Sequence, residues 1–111
     1  MKDEVGKHLD DGKPRWDLLP LDAVEGVVKI LTYGTKKYAS RNWELGIDYS
    51  KIYGSTMRHL KAWFQDREDI DPESGLPHIN HAACDILFLA AYVARHMRKF
   101  DDRPHTGRRR K

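Results

Sequence analysis

Between Pro77 and Ala94 the sequence reads PHINHAACDILFLAAYVA, a run that is apolar on nearly every side of a helix yet carries His78, His81 and Asp85. Proline suits a first helical turn, where its missing N–H is not needed, and a helix apolar all round belongs in an interior. In 111 residues there is room for one domain. The segment is therefore read as the central helix of a small all-α bundle. Two short partner helices cannot cover so much apolar face, which favours a homo-oligomer, dimer or tetramer.

Two further periodic segments supply the partners. Leu21, Val24, Val27, Val28 and Leu31 recur at helical spacing behind Pro20, with Asp22 and Glu25 spaced like a capping box, and predict a helix over about 22–39. Gly34 weakens its end, and Ala39-Ser40-Arg41-Asn42 reads as its exit. From Asp48 or Ser50 to about Arg67, Ile52, Thr56, Leu60, Trp63 and Phe64 share one side, while Lys51, Arg58, Lys61 and Gln65 lie on others. That pattern is an amphipathic helix. Between it and the third helix, residues 66–77 are acidic and broken by Pro and Gly, as a loop is. No repeat and no convincing strand is present.

Charge and cysteine content narrow the class. The net charge is +3, but residues 103–111 hold five basic residues and no acid, so residues 1–102 carry −2. The division is a single helical domain over 1–102 and a disordered basic tail over 103–111, and a nucleic-acid partner is not expected. One cysteine, Cys84, permits no internal disulfide, and it sits in the apolar run where buried thiols are inert. No stretch reaches the roughly 18–20 apolar residues of a membrane span. The N-terminal MKDEVGKHLDDGK is charged rather than apolar, so the expected compartment is the cytoplasm.

Chemistry gathers on the third helix. His78, His81 and Asp85 are spaced i, i+3 and i+7, on one side, and a lone carboxylate among alanine, isoleucine and leucine needs compensation. That compensation is a metal, a polar cleft, or a structural partner such as Arg58 or Lys61. The loop carboxylates Asp69, Asp71 and Glu73 fall near the first turn of this helix, and carboxylates with imidazoles suit Mg²⁺ or Mn²⁺. Lys36, Lys37, Tyr38, Asn42 and Trp43 form a second constellation. Cations there can meet phosphates, an aromatic face can stack a base, and an amide can read a base edge. A basic helix end followed by a core-filling Trp is the structural alternative. Lys13 and the Arg58-His59 pair are further candidates. No phosphate-binding glycine loop and no cysteine-based zinc spacing occurs, so phosphate recognition would fall to side chains and metal.

Four ordered motifs, Gly12-Lys13-Pro14-Arg15-Trp16-Asp17-Leu18-Leu19-Pro20, Lys37-Tyr38-Ala39-Ser40-Arg41-Asn42-Trp43, Arg58-His59-Leu60 and the run from Asp69 to Cys84, resemble the phage dATP/dGTP diphosphohydrolase N-terminal-domain family. The resemblance spans residues 12 to about 92. It implies hydrolysis of a purine deoxynucleoside triphosphate to monophosphate and pyrophosphate, in a host cytoplasm, on a MazG-like helical fold. The E-x-x-E and E-x-x-D pairs of MazG-like helices are absent, and His78, His81 and Asp85 occupy the comparable face. On this reading Asp69, Asp71, His78, His81 and Asp85 hold Mg²⁺ or Mn²⁺, and Glu73 or the metal activates water. His59 shuttles a proton, Lys13, Lys36, Lys37 and Arg58 meet phosphates, and Tyr38, Asn42 and Trp43 hold the base. A nucleotide-binding protein without catalysis, or a small nucleic-acid-binding accessory protein, are the alternatives.

Overall fold

The computed structural model describes residues 5–105, so the residues 106–111 of the expected tail lie outside the described residues. Three α-helices build the fold: α1 (Leu21–Gly34), α2 (Tyr49–Phe64) and α3 (His78–Ala94). Short 3₁₀ turns at Trp16–Leu18, Asn42–Leu45 and Arg98–Phe100 punctuate the connections. Among the described residues there is no strand, only an isolated bridge between Ile70 and Pro77 that pinches the loop ahead of α3. None of the helices is long and apolar enough to cross a membrane.

The helix ends differ from the pattern-based expectation for local reasons. Pro20, not Asp22, stands at the start of α1, and the Asp22 carboxylate accepts only the neighbouring Ala23 N–H at 2.8 Å. At the other end α1 stops at Gly34, five residues before the expected 39. The Thr35 hydroxyl donates to the Thr32 carbonyl at 2.6 Å, and residues 35–38 wind on through turn bonds. Helix α2 stops at Phe64 rather than Arg67, because Arg67 adopts a left-handed φ of 56° and sends the Glu68 N–H back to the Ala62 carbonyl. At its start Asp48 makes no side-chain cap, and the distant Asp102 carboxylate instead takes the Ser50 N–H at 2.8 Å and its hydroxyl at 2.5 Å. Arg103, placed in the tail by composition, folds back to pair with Asp101 at 2.7 Å.

Helix α3 packs against both partners, more extensively against α2. Its approach to α1 depends on Gly26, where a Cβ would stand 2.5 Å from the Asn80 amide nitrogen. The buried residues are Ile30 of α1, Ile52 and Thr56 of α2, and His78, Ala82, Cys84 and Tyr92 of α3. As expected, α3 contributes most to the interior. Yet Ile79, Ile86, Leu87 and Val93 on its outer side stay between 41% and 65% exposed. The spacing of these four marks one uncovered stripe along the helix.

Candidate functional site

A cleft of about 1020 Å³ opens between α1, α2, α3 and the segment 38–43. Helix α2 lines it with Lys51, Ser55, Arg58 and His59, and α3 with His78, His81, Cys84 and Asp85. Positions 51, 55, 58 and 59 are i, i+4, i+7 and i+8, one face of one helix. The periodicity that buries Ile52 and Thr56 against α3 thus turns the adjoining polar positions toward the cleft.

Three imidazoles meet at its floor. His59 Nδ1 lies 2.8 Å from His78 Nδ1, and His78 Nε2 lies 2.8 Å from Glu68 Oε1. The rings of His59 and His81 stack at 4.5 Å with planes 6° apart. A hydrogen-bond argument orients His81. The Ser74 hydroxyl has one proton and gives it to Asp71 Oδ2 at 3.0 Å, while accepting the Leu76 N–H at 3.1 Å. Ser74 Oγ is therefore an acceptor toward His81 Nε2, 2.7 Å away, so that nitrogen carries the proton. Burial holds His59 and His81 below the usual imidazole range, and each ring's charge opposes charging of neighbouring imidazoles.

The acidic loop is ordered by the same network. Burial raises Asp71, but the Ser74 hydroxyl and the Glu73 amide outweigh it, and its pKa ends below the usual value. Gly75, at φ 74°, closes the turn with its N–H on the Asp71 carbonyl at 2.7 Å. Glu73 forms an ion pair with Lys37 at 2.5 Å, tying the loop to the chain leaving α1.

Asp85 stands apart. Its Oδ2 is buried and takes no hydrogen bond. Burial raises its pKa, against the lowering effects of the Ser55 and Thr56 hydroxyls, His59 and Arg58. Neither structural partner weighed for it forms an ion pair with it: Lys61 pairs with Asp66 at 3.1 Å, and Arg58 acts only at longer range. Cys84 beside it is buried, and its thiol is pushed up to about 12, which makes it inert.

The structure gathers some of the expected site residues and separates others. Lys37, Tyr38, Asn42, Arg58, His59, Asp71, Glu73, His78, His81 and Asp85 all line the cleft. Lys13, Lys36 and Asp69 do not; Lys36 lies over the Tyr33 ring instead, and Asp69 contributes its backbone carbonyl to the His78 N–H. Trp43 also lines the cleft, but its ring is engaged in packing. Its ring stacks on Phe88 at 4.9 Å with Arg95 over it at 5.1 Å, so the face wanted for a base is taken. His78 has both ring nitrogens in hydrogen bonds, which leaves no lone pair for a metal. Among the described residues no group of three or more His, Cys, Asp or Glu is placed to hold a metal ion. The orphaned Asp85 oxygen remains, and it fits an ion that takes most of its ligands from a substrate, as Mg²⁺ commonly does.

Four residues of the site were not singled out by sequence. Lys51 and Ser55 were legible, seven and three residues before Arg58 on one helix face; Ser74 lies inside the 69–84 motif without a role assigned to it, and Glu68 carries no periodic or motif signal of its own.

Over residues 3–103 the sequence matches the family described as "dATP/dGTP diphosphohydrolase, N-terminal". It is also 31% identical over 85 residues to a protein of Salmonella phage PMBT28 named dATP/dGTP diphosphohydrolase. Those residues are 77% of this chain and 29% of that relative, so the chain spans under a third of the curated protein it matches. No solved structure matches it.

Proposed function

This chain belongs to the dATP/dGTP diphosphohydrolase N-terminal family, and on that premise we propose that its cleft binds a purine deoxynucleoside triphosphate and hydrolyses it to monophosphate and pyrophosphate. One observation supports this reading above others. Lys51 and Arg58, which make no ion pair among the described residues, share the wall of a 1020 Å³ cleft with a stacked imidazole pair and a carboxylate oxygen that takes no hydrogen bond from them. Cations suit a polyphosphate, and an imidazole held neutral near pH 7 suits proton transfer.

In the reaction, a water oxygen bonds to the α-phosphorus and the bond from that phosphorus to the α–β bridging oxygen breaks, releasing pyrophosphate. His59 takes the proton of the attacking water. Lys51 and Arg58 offset the charge that grows on the leaving group. Glu73, held by Lys37, anchors the loop over the site rather than acting as base. Tyr38, 60% exposed at the cleft edge, and Asn42 are left to contact the base. Asp85 would hold Mg²⁺ or Mn²⁺, which when bound neutralises phosphate charge.

The test is incubation of the full chain with each deoxynucleoside triphosphate and Mg²⁺ or Mn²⁺, resolving products by phosphorus NMR. Monophosphate with pyrophosphate is expected, fastest from purine substrates. Release of inorganic phosphate alone, or binding without turnover, would overturn hydrolysis at the α-phosphorus, and binding alone would mark a nucleotide-sequestering protein. The uncovered stripe Ile79, Ile86, Leu87 and Val93 also supports a symmetric homo-oligomer, in which a second copy covers the same stripe. Light scattering at micromolar concentration should return at least twice 12.9 kDa.

A further inference from the structure

Glu68, His78 and His59 form a line from solvent into the cleft. The Glu68 side chain is 49% exposed, the His78 side chain only 6%, and His59 lines the cleft. The two links are each 2.8 Å, between Glu68 Oε1 and His78 Nε2 and between the Nδ1 atoms of His78 and His59. Two nitrogens facing each other at that distance need one proton between them. A carboxylate only accepts, so the Nε2 atom of His78 must donate to Glu68. A neutral His78 then offers a lone pair at Nδ1, and His59 must place its own proton on Nδ1. His59 Nε2 is left with a lone pair, and no described residue hydrogen-bonds to it.

We propose that His78 and Glu68 are positioning residues that fix the His59 tautomer with its basic Nε2 available to the cleft, and that the same line drains the proton His59 takes. The transfer balances without any added reagent. A proton gained at His59 Nε2 is matched by movement of the Nδ1 proton to His78 Nδ1, of the His78 Nε2 proton to Glu68, and from Glu68 to bulk water. Each imidazole ends neutral with its tautomer exchanged, and the return flip of the two rings, or reverse passage of a proton, resets the line.

The anchoring of this line is not incidental to the loop. His78 is the first residue of α3, and its N–H bonds the Asp69 carbonyl at 2.9 Å, next to Glu68. Glu68 itself follows the left-handed Arg67, which reverses the chain after α2. The loop between α2 and α3 therefore sets the carboxylate against the ring. His81 is oriented by a separate set, Ser74 and Asp71, so the stacked rings are held from two directions. Both sets favour a fixed ring pair, but only the Glu68 line reaches His59 through its ring nitrogen.

The proposal rests on the hydrolase reading for its effect on turnover and not for the tautomers, and the experiment separates the two. Imidazole nitrogens of the full chain, labelled with ¹⁵N, are assigned by two-bond ¹H–¹⁵N correlation near neutral pH. The wild type should show His59 protonated at Nδ1 and His78 at Nε2. In Glu68→Ala both rings should shift toward mixed tautomers, with an unchanged helical circular dichroism spectrum. Glu68→Gln keeps an acceptor oxygen and should retain the wild-type tautomers while losing the acid that passes the proton on. With purine deoxynucleotide substrate, kcat should fall about tenfold or more in Glu68→Ala, with KM nearly unchanged, as for loss of a group behind a reacting one. A wild-type His59 protonated at Nε2 overturns the proposal whether or not the chain hydrolyses anything. So does a Glu68→Ala chain with unaltered tautomers. If the wild type turns nothing over, the hydrolase reading fails while the tautomers still decide the relay.

Discussion

From His78 to Asp85, α3 is surrounded by groups that hydrogen-bond one another; from Phe88 to Tyr92 it is surrounded by rings. At the ring end Trp43 stacks on Phe88, Tyr49 stacks on Tyr92 at 6.2 Å, and Phe100 leans on Tyr92 at 6.5 Å. Gly46, at φ 103°, lets the Phe100 ring approach the backbone, where any Cβ would collide with it. The hydroxyls of this end are satisfied: Tyr92 gives its proton to the Trp43 carbonyl at 2.6 Å, and Tyr49 gives its own to the Met97 carbonyl at 3.4 Å. Such a region gains stability from apolar area and loses none to unsatisfied charge. The site end does the opposite. It keeps an unpartnered carboxylate oxygen and two imidazoles whose charged forms are disfavoured, which lowers stability and leaves reactive atoms unspent.

The largest expected effect follows from breaking the ring end. Tyr92 is fully buried, and Tyr92→Ala removes a ring that three others touch, so unfolding free energy should fall by about 3–5 kcal/mol, measured by urea denaturation. Tyr92→Phe should cost only about 1 kcal/mol, for the hydrogen bond to the Trp43 carbonyl. A Tyr92→Ala chain within 1 kcal/mol of wild type would mean that the rings carry little of the fold, and the contrast between the two ends would collapse.

This contrast also explains what the sequence disclosed. The apolar run over α3 placed it at the centre, and the i, i+3, i+7 spacing put His78, His81 and Asp85 on the face that does meet the cleft. Both inferences rest on helical periodicity, which survives folding unchanged. The role of Trp43 did not follow, because a ring beside cations in sequence looks the same whether it stacks on a base or on Phe88. Nor did Glu68 or Ser74. Their partners, His78 and His81, lie 10 and 7 residues away across a loop whose shape comes from tertiary hydrogen bonds and the left-handed Arg67 and Gly75. The exit of α1 was misplaced for a local reason, since the Thr35 hydroxyl donates to the Thr32 carbonyl and closes the helix.

An intermediate effect is expected at Asp85, of opposite sign for stability and activity. Its folded pKa is raised, mainly by burial, so the folded state binds its proton more tightly than the unfolded state does. Its contribution to stability therefore falls as pH rises from about 3.8 through the raised value, and at pH 7 the ionised group is a burden. Asp85→Asn should raise the melting temperature at pH 7 and leave it little changed near pH 3. Turnover should drop by about 10²-fold, as when one preorganised charge is removed from a reacting centre. A destabilised variant that keeps its activity would show that Asp85 is a structural group, and the site end would then resemble the ring end.

The smallest effect concerns acid, and it separates the two ends by pH. Glu44 accepts from Arg41 at 2.6 Å and from Arg95 at 2.9 Å, joining the turn that carries Trp43 to the end of α3. These hydrogen bonds hold its carboxyl down at about 2, below the usual 4.5. A depressed carboxylate stabilises fully above the unfolded value and loses that contribution as pH falls from 4.5 toward 2. The partners are at the surface, so salt should shrink the effect. At the site end the sign is the same but the window is higher. His59 and His81 are neutral in the fold below the usual 6.5, so their contribution is lost as pH falls from 6.5 toward their folded values. Unfolding free energy should therefore begin to fall as pH drops below about 6.5, before Trp43 fluorescence changes. Trp43 fluorescence, isolated by replacing Trp16 and Trp63 with Phe, should stay constant down to about pH 4.5 and change only below it. Glu44→Gln should remove that lower step and leave the upper one. Simultaneous movement of both probes in one step near pH 6 would mean that the two halves of α3 unfold together, and that charging the imidazoles is felt at the rings as well.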